Sequence, residues 1–217
     1  MEIHPGQKVG IVGRSGAGKS SFIKLLWRAL NPSEGQIEID GIKISDIDLK
    51  DYREQLVVIL QKPSLFEGTL LSNITPNRIS LTQVRDIRTD LVDLEFDRKK
   101  LAEESLGFRV EPEGKNLSQS EKQTIGMMQS LQKKSKIVIL DEATAYVDVK
   151  IQGKINNKLY ESFKDSTMFV IAHRLENVIN LDRILVFDQG RVVEDGSPSE
   201  LLSISNGVFR EIWLKEQ

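Results

Sequence analysis

The chain has 217 residues, 39% of them hydrophobic and 29% charged, with a net charge of −2 and no cysteine. That length suits an α/β domain with a sizeable core, and the lack of cysteine excludes a disulfide framework or a thiolate site. The charge gives no reason to expect nucleic acid or an anionic membrane as a partner, no apolar run approaches the ~20 residues that span a bilayer, and the start, MEIHPGQKVG, lacks a signal-peptide apolar stretch.

In chain order, Lys8–Val12 reads as a short buried strand ending at Gly13. Phe22, Leu25, Leu26 and Ala29 then recur near helical spacing from Ser20 to Leu30, and Asn31-Pro32 stops that helix. QIEID-GIKI (36–44) predicts a hairpin around Asp40-Gly41. LVVIL (56–60) is a buried-type strand. From about Phe66 the character changes, and 81–106 is charged and helix-like, so 67–133 is expected to be a mostly helical insertion. KIVIL (136–140), TMFVIA (167–172) and RILVF (183–187) are further strands. Residues 150–164 make an amphipathic helix, with Ile151, Ile155, Leu159 and Phe163 at four-residue steps. Gln189-Gly190 turns the chain into RVVED, and Ser197-Pro198-Ser199-Glu200 is a capped helix start with proline at its first position. Apolar strands alternating with helices mean a largely parallel sheet covered on both faces.

Three stretches carry chemistry. The first, 13-GRSGAGKS-20, matches G-x-x-x-x-G-K-[ST] at every fixed position, after a strand and before a helix. Gly13, Gly16 and Gly18 let the backbone curl so that its N–H groups converge on an anion. The helix N-terminus adds partial positive charge. Lys19 can reach β- and γ-phosphates, and the Ser20 hydroxyl can ligate Mg²⁺.

The second, 137-IVILDEAT-144, is a strand ending in two acids, whose side chains alternate between opposite faces. A phosphate loop needs an acid at a neighbouring strand end to hold Mg²⁺, and Asp141 is placed for that. Glu142 is then left to orient or deprotonate a water. The third, 117-LSQSEKQ-123, carries Ser118 and Glu121 at capping-box spacing and predicts a helix start.

GRSGAGKS, Gln61 after a buried strand, LSQSE, IVILDEAT and 172-AHR-174 come in the order and spacing of an ABC-type ATPase domain, which the chain resembles over nearly its whole length. EIHPGQKVGIVGRSGAGKSS, LFEGTLLSNI, DEATAYVD and FVIAHRLENV are most similar to the second nucleotide-binding domain of multidrug-resistance-associated, C-subfamily transporters. The resemblance implies a P-loop NTPase (RecA-like) α/β core with a mostly parallel sheet and a small antiparallel part. It divides the chain into an ATP-binding core, 1–66 and 134–217, and an inserted α-helical subdomain, 67–133, carrying the family's signature. It implies ATP and Mg²⁺ as ligands and a second nucleotide-binding domain that closes face to face on this one. It also implies transmembrane domains supplied elsewhere, and work on the cytoplasmic face of a membrane.

The site roles carry over residue by residue. Gly13, Arg14, Ser15, Gly16, Ala17, Gly18, Lys19, Ser20 and Ser21 would cradle the nucleotide. Ser20, Gln61 and Asp141 would hold Mg²⁺, and Gln61 would also contact the attacking water. Glu142 would be the general base, His173 would sense the γ-phosphate, and Asp148 matches the D-loop acid that crosses to the partner. Leu117, Ser118, Gln119, Ser120 and Glu121 would form the signature, acting on ATP held by the partner.

The family pattern Leu-Ser-x-Gly-Gln is altered here. Ser120 adds a Cβ where glycine is expected, and Glu121 adds negative charge, opposing a helix N-terminal attraction of ~0.3–1 kcal/mol. This predicts a sound helix start but a weak clasp on the partner's nucleotide, while this chain's own loop and acids look intact. The resemblance therefore implies a catalytic role beside a domain with a good signature, and slow turnover as a homodimer. Only Glu2–Gly6 precede the first strand, so the upstream aromatic that stacks on adenine in the family is not among these residues, and weak nucleotide affinity is expected. Tyr146 replaces a small residue and is expected to crowd the D-loop. An ATP-gated binding module with little hydrolysis is the alternative. A coiled-coil DNA-maintenance ATPase fits poorly, because no sustained heptads separate Lys19 from Ser118.

Overall fold

Lys8–Gly13 forms strand β1, the centre of a six-stranded sheet. The computed structural model describes residues 1–60, 62–75, 77, 79–141, 149–172 and 174–216, and of 149 and 150 the backbone. After β1 come α1 (Lys19–Leu26), β2 (Glu38–Ile39), β3 (Ile42–Lys43), α2 (Leu49–Glu54) and β4 (Leu56–Ile59). Then follow β5 (Gly68–Thr69), α3 (Leu70–Ile74), α4 (Leu81–Asp93), α5 (Arg98–Glu103), β6 (Arg109–Val110) and α6 (Gln119–Leu131). The chain closes with β7 (Ile137–Asp141), α7 (Val149–Ser162), β8 (Thr167–Ile171), β9 (Arg183–Asp188), β10 (Arg191–Gly196), α8 (Pro198–Ser203) and α9 (Val208–Glu216). Among the described residues, no helix is long and apolar enough to cross a membrane.

The chain packs as two units, one of residues 1–58, 135–141 and 165–217, the other of the described residues of 59–134 and 149–164. In the first, the sheet order is β10-β9-β1-β8-β7-β4. β1 runs parallel to β8 and β9, β7 runs parallel to β8, and β10 returns antiparallel on β9. This is the mostly parallel α/β sheet expected from the apolar strands.

Period-two alternation assigns the faces. Val9, Ile11, Ile139, Phe169, Ile171, Leu185 and Phe187 form one cluster with Ala17, Ile23 and Leu26, so α1 covers that face. Phe22 completes it, its ring 5.8 Å from Phe169 and 5.5 Å from Phe187. Burying a side chain of this size contributes about 1.5–3 kcal/mol. On the opposite face Val178 lies over Gly10, where an added Cβ would stand 2.9 Å from the Val178 Cβ.

α1 ends four residues earlier than its apolar spacing suggested. Arg28 takes a left-handed conformation (φ 53). Its N–H donates to Leu25 O and the Ala29 N–H to Lys24 O, the two bonds of a Schellman motif. The Arg28 guanidinium donates to Ile47 O at 2.6 Å and lies over Tyr52, which holds an arginine where glycine is commoner. The hairpin at 36–44 is shorter than predicted, two residues a side around Asp40 and Gly41, both at positive φ as a type I′ turn requires. Ile44, Tyr52 and Leu56 make a small second cluster there.

In the second unit four helices begin on local caps. Thr69 with Ser72, Ser80 with Gln83 and Ser118 with Glu121 form capping boxes on α3, α4 and α6, and Asp97 caps α5. The apolar centre includes Leu70, Ile74, Leu91, Phe96, Ile125, Met128, Ile155 and Leu159, all nearly solvent-free. α7 is tied to this unit by ion pairs from Lys154 to Glu95 and from Lys158 to Asp90. Two helices carry weak local signals. α2 starts on Asp48, which accepts from Lys50 N and Asp51 N. α9 starts on a distant residue, the Glu194 carboxylate accepting from Val208 N and Phe209 N.

Candidate nucleotide site

β1 delivers the chain to the carboxyl edge of the sheet at Gly13, and the loop that follows is held from below. An added Cβ on Gly13 would stand 2.2 Å from the Phe187 carbonyl oxygen, and Gly13 itself has φ 147. Only glycine fits there. Gly18, at φ 107, is the N-cap of α1, and its hydrogen-side approach to Gly190 leaves 3.2 Å for an added Cβ. The Gly190 N–H donates to Ala17 O at 3.0 Å, so the β9–β10 turn props the loop. The sequence showed Gln189-Gly190 as a turn, but nothing local could reveal what it supports.

Among the described residues, no side chain caps α1, and none lies within 4 Å of where a Cβ on Gly16, at φ 78, would be. Arg14, Ser15, Gly16, Ser20 and Ser21 are exposed, whereas Ala17 is buried. Lys19 is only 8% exposed, and its Nζ donates to Gly13 O at 2.6 Å and Arg14 O at 3.1 Å. The ammonium is therefore stretched across the mouth of its own loop. An uncapped helix N-terminus beside a buried lysine is an arrangement that an anionic oxygen cluster completes.

Asp141 enters from β7. It pairs in register with Ile171, which pairs in turn with Ile11 on β1, so Asp141 stands two strands from β1 at the same carboxyl edge. It lies two residues beyond Ile139, a member of the cluster under α1. Alternation therefore puts its side chain on the α1 face, with the loop. Hard oxygen donors such as Ser20 and Asp141 suit Mg²⁺, which keeps part of its shell for water and substrate phosphates. Gln61, Glu142, Tyr146, Asp148 and His173 lie outside the described residues.

The site also touches α9. Arg14 pairs with Glu211 at 3.2 Å, both side chains more than half exposed. Glu211 also accepts from Lys215, and these contacts hold its carboxyl below its ordinary value, the Lys215 hydrogen bond foremost.

In the second unit, the Leu117–Glu121 turn starts α6. Leu117 is buried, Ser118 and Gln119 are exposed, and Ser120 is half-buried. Glu121 N donates to Ser118 Oγ at 3.2 Å, and Ser118 N donates to Glu121 Oε2 at 2.8 Å. The predicted capping box is formed. The sequence reading missed Lys100, whose Nζ donates to Glu121 Oε1 at 2.7 Å. Its only sequence trace is a cluster of cations, 98-RKK-100, after a capping Asp97.

A family profile described as ABC transporter matches residues 1–145. ABC transporter C family member 5 of Dictyostelium discoideum is 42% identical over 219 residues, covering 100% of this chain and 15% of that protein. ATP-binding cassette sub-family C member 2 of Rattus norvegicus is 42% identical over 204 residues, 93% of this chain and 13% of that protein. The chain thus spans about 15% of the length of the curated relatives it matches. Among solved structures, a bacterial Atm1-family ABC exporter with ATP bound superposes with a TM-score of 0.86 at 33% identity, over 98% of this chain and 37% of that one. The chain belongs to the ABC transporter family, as an ATP-binding domain of the kind found in its C-subfamily transporters.

Proposed function

We propose that the chain is the motor half of a composite ATPase site that powers export through transmembrane domains, at the cytoplasmic face of a membrane. The observation that carries this reading is the propped, uncapped loop at Gly13–Ser21 with Lys19 drawn into its mouth and Asp141 on the same face of the sheet. The loop amides and Lys19 would hold the β- and γ-phosphates of ATP. Ser20, Asp141 and Gln61 would hold Mg²⁺, which neutralises charge on the phosphate oxygens when bound. Glu142 accepts a proton from the attacking water as the bond from the γ-phosphorus to the ADP oxygen breaks. In the roles the family assigns, His173 would sense the γ-phosphate and Asp148 would serve as the D-loop acid toward the partner domain. Residues 67–133 act as the helical subdomain that presents Leu117, Ser118, Gln119, Ser120 and Glu121 to the partner's nucleotide, and 1–66 with 134–217 form the ATP-binding core.

The altered turn makes the pair asymmetric. This chain supplies loop and acids to one site, and a second domain with an unaltered signature completes it. ATP binding closes the pair and hydrolysis reopens it. A second reading, ATP-gated closure with negligible turnover, draws on Ser120 and Glu121 standing where the family has glycine and glutamine.

Single-turnover hydrolysis of labelled ATP separates the two. With a signature-intact second domain present, the chain converts its bound ATP to ADP, and Glu142→Gln abolishes the conversion. The chain alone turns over slowly. Rapid turnover alone, abolished by Glu142→Gln, would refute the asymmetric role, and no conversion with the second domain would favour the gating module.

A further inference from the structure

At the start of α6, the altered turn meets a cation from another helix. Lys100 of α5 donates to Glu121 Oε1 at 2.7 Å and to the Asn116 carbonyl at 3.4 Å, and its ammonium lies 5.3 Å from the Phe108 ring centroid. The two side chains are 22% and 12% exposed. The other carboxylate oxygen, Oε2, accepts the Ser118 N–H. Both oxygens are thus engaged, one by backbone and one by a positive charge.

A glutamine here would make the capping contact without charge. Glutamate makes it too, but leaves a negative charge at a helix N-terminus that an incoming phosphate must approach. Paired at 2.7 Å and largely shielded from salt, carboxylate and ammonium together present no net charge. The Asn116 carbonyl and the Phe108 ring hold the ammonium at that place, which a loose surface lysine would not keep.

We propose that Lys100 is a positioning residue for the nucleotide held by a partner domain: it cancels the Glu121 charge and so restores to the Leu117–Glu121 turn the electrostatics that glutamine would give it. The inference rests on the reading of that turn as the surface that meets the partner's ATP. It revises the weak clasp expected from sequence, in which Glu121 was an uncompensated charge. It also predicts that lysine and glutamate act as one unit, each harmful without the other.

The test is ATP-dependent pairing of two copies of the chain, measured by sedimentation equilibrium with Mg²⁺ and ATP in a Glu142→Gln background that preserves the nucleotide. A pair of copies uses two of these turns. Lys100→Met keeps the aliphatic stem on Phe108 and removes the charge. It is expected to weaken pairing about threefold per turn, hence about tenfold for the pair. Adding Glu121→Gln to Lys100→Met is expected to restore pairing to within about twofold of the parent, and Lys100→Arg to retain it. A merely structural ion pair predicts the opposite, because the double variant has no bridge either and stays weak.

Unchanged pairing in Lys100→Met, or a double variant as weak as the single one, overturns the proposal and leaves the functional reading standing. A parent that shows no ATP-dependent pairing also overturns the proposal, because the charge-cancelled turn then fails to clasp the other copy's nucleotide, and it leaves the asymmetric functional reading standing. Should Lys100→Met fail to fold, the double variant still decides: parent-strength pairing supports the proposal, and weaker pairing overturns it.

Discussion

Gly13 shows how one residue type can be dictated by a contact far away in the chain. Its φ of 147 and the 2.2 Å that an added Cβ would leave to Phe187 O both demand glycine. Strain of this kind costs of order 1–3 kcal/mol, before the clash with backbone is counted. Gly13→Ala is expected to lower stability by about 2 kcal/mol or more, a fall in melting temperature of roughly 4–8 °C for a chain of this size. Thermal unfolding by circular dichroism checks it, and an unchanged midpoint would mean that the loop is not seated on β9 as described. Gly16, by contrast, meets none of the described residues within 4 Å of its Cβ position. Its positive φ, not a neighbour, is what favours glycine there.

At the scale of elements, β9 and β10 join the site to the outer edge of the sheet. The Arg183 guanidinium donates to both oxygens of Asp195, at 2.5 Å and 2.7 Å. Those hydrogen bonds hold the Asp195 carboxyl below its ordinary value, against the opposing effect of partial burial. A depressed carboxyl stabilises the fold above its unfolded pKa, about 3.9, and loses that contribution as pH falls through the lower folded value. Wild type should therefore be more stable than Asp195→Asn at pH 7, and the gap should narrow as pH falls from about 5 through the unfolded pKa. Melting curves over that range check the prediction. A gap that widens on acidification would contradict it.

The elements also show what the sequence could and could not reveal. Strand β1, the phosphate loop and β7 were legible because continuous apolar runs, fixed glycine positions and a terminal acid are local signals. Capping boxes at Ser118 and Ser197 were legible for the same reason. The end of α1 was not, because Arg28 takes a left-handed turn supported by Ile47 and Tyr52, residues distant in sequence. α9 was hidden likewise, since Glu194 caps it from another strand. Lys100 is the clearest case in the site. Glu121 read alone was a defect, and only the fold places a cation against it.

For the whole molecule, the first unit supplies a sheet whose carboxyl edge gathers Gly13, Lys19, Ser20 and Asp141, the position where open α/β sheets bind ligands. The second unit supplies capped helices and the Leu117–Glu121 turn. The chain spans about 15% of the length of the curated relatives it matches. ATP that binds the folded state alone would stabilise it, by about 2.7 kcal/mol at a ligand concentration of 100 Kd.

Titration calorimetry of ATP with Mg²⁺ into the chain and into Lys19→Ala reads the central claim directly. The predicted result is a saturable isotherm with one site per chain, weakened at least about tenfold in Lys19→Ala because the ammonium at the mouth of the loop is gone. Binding of equal strength in the two proteins, or no binding to the unaltered chain, would contradict it.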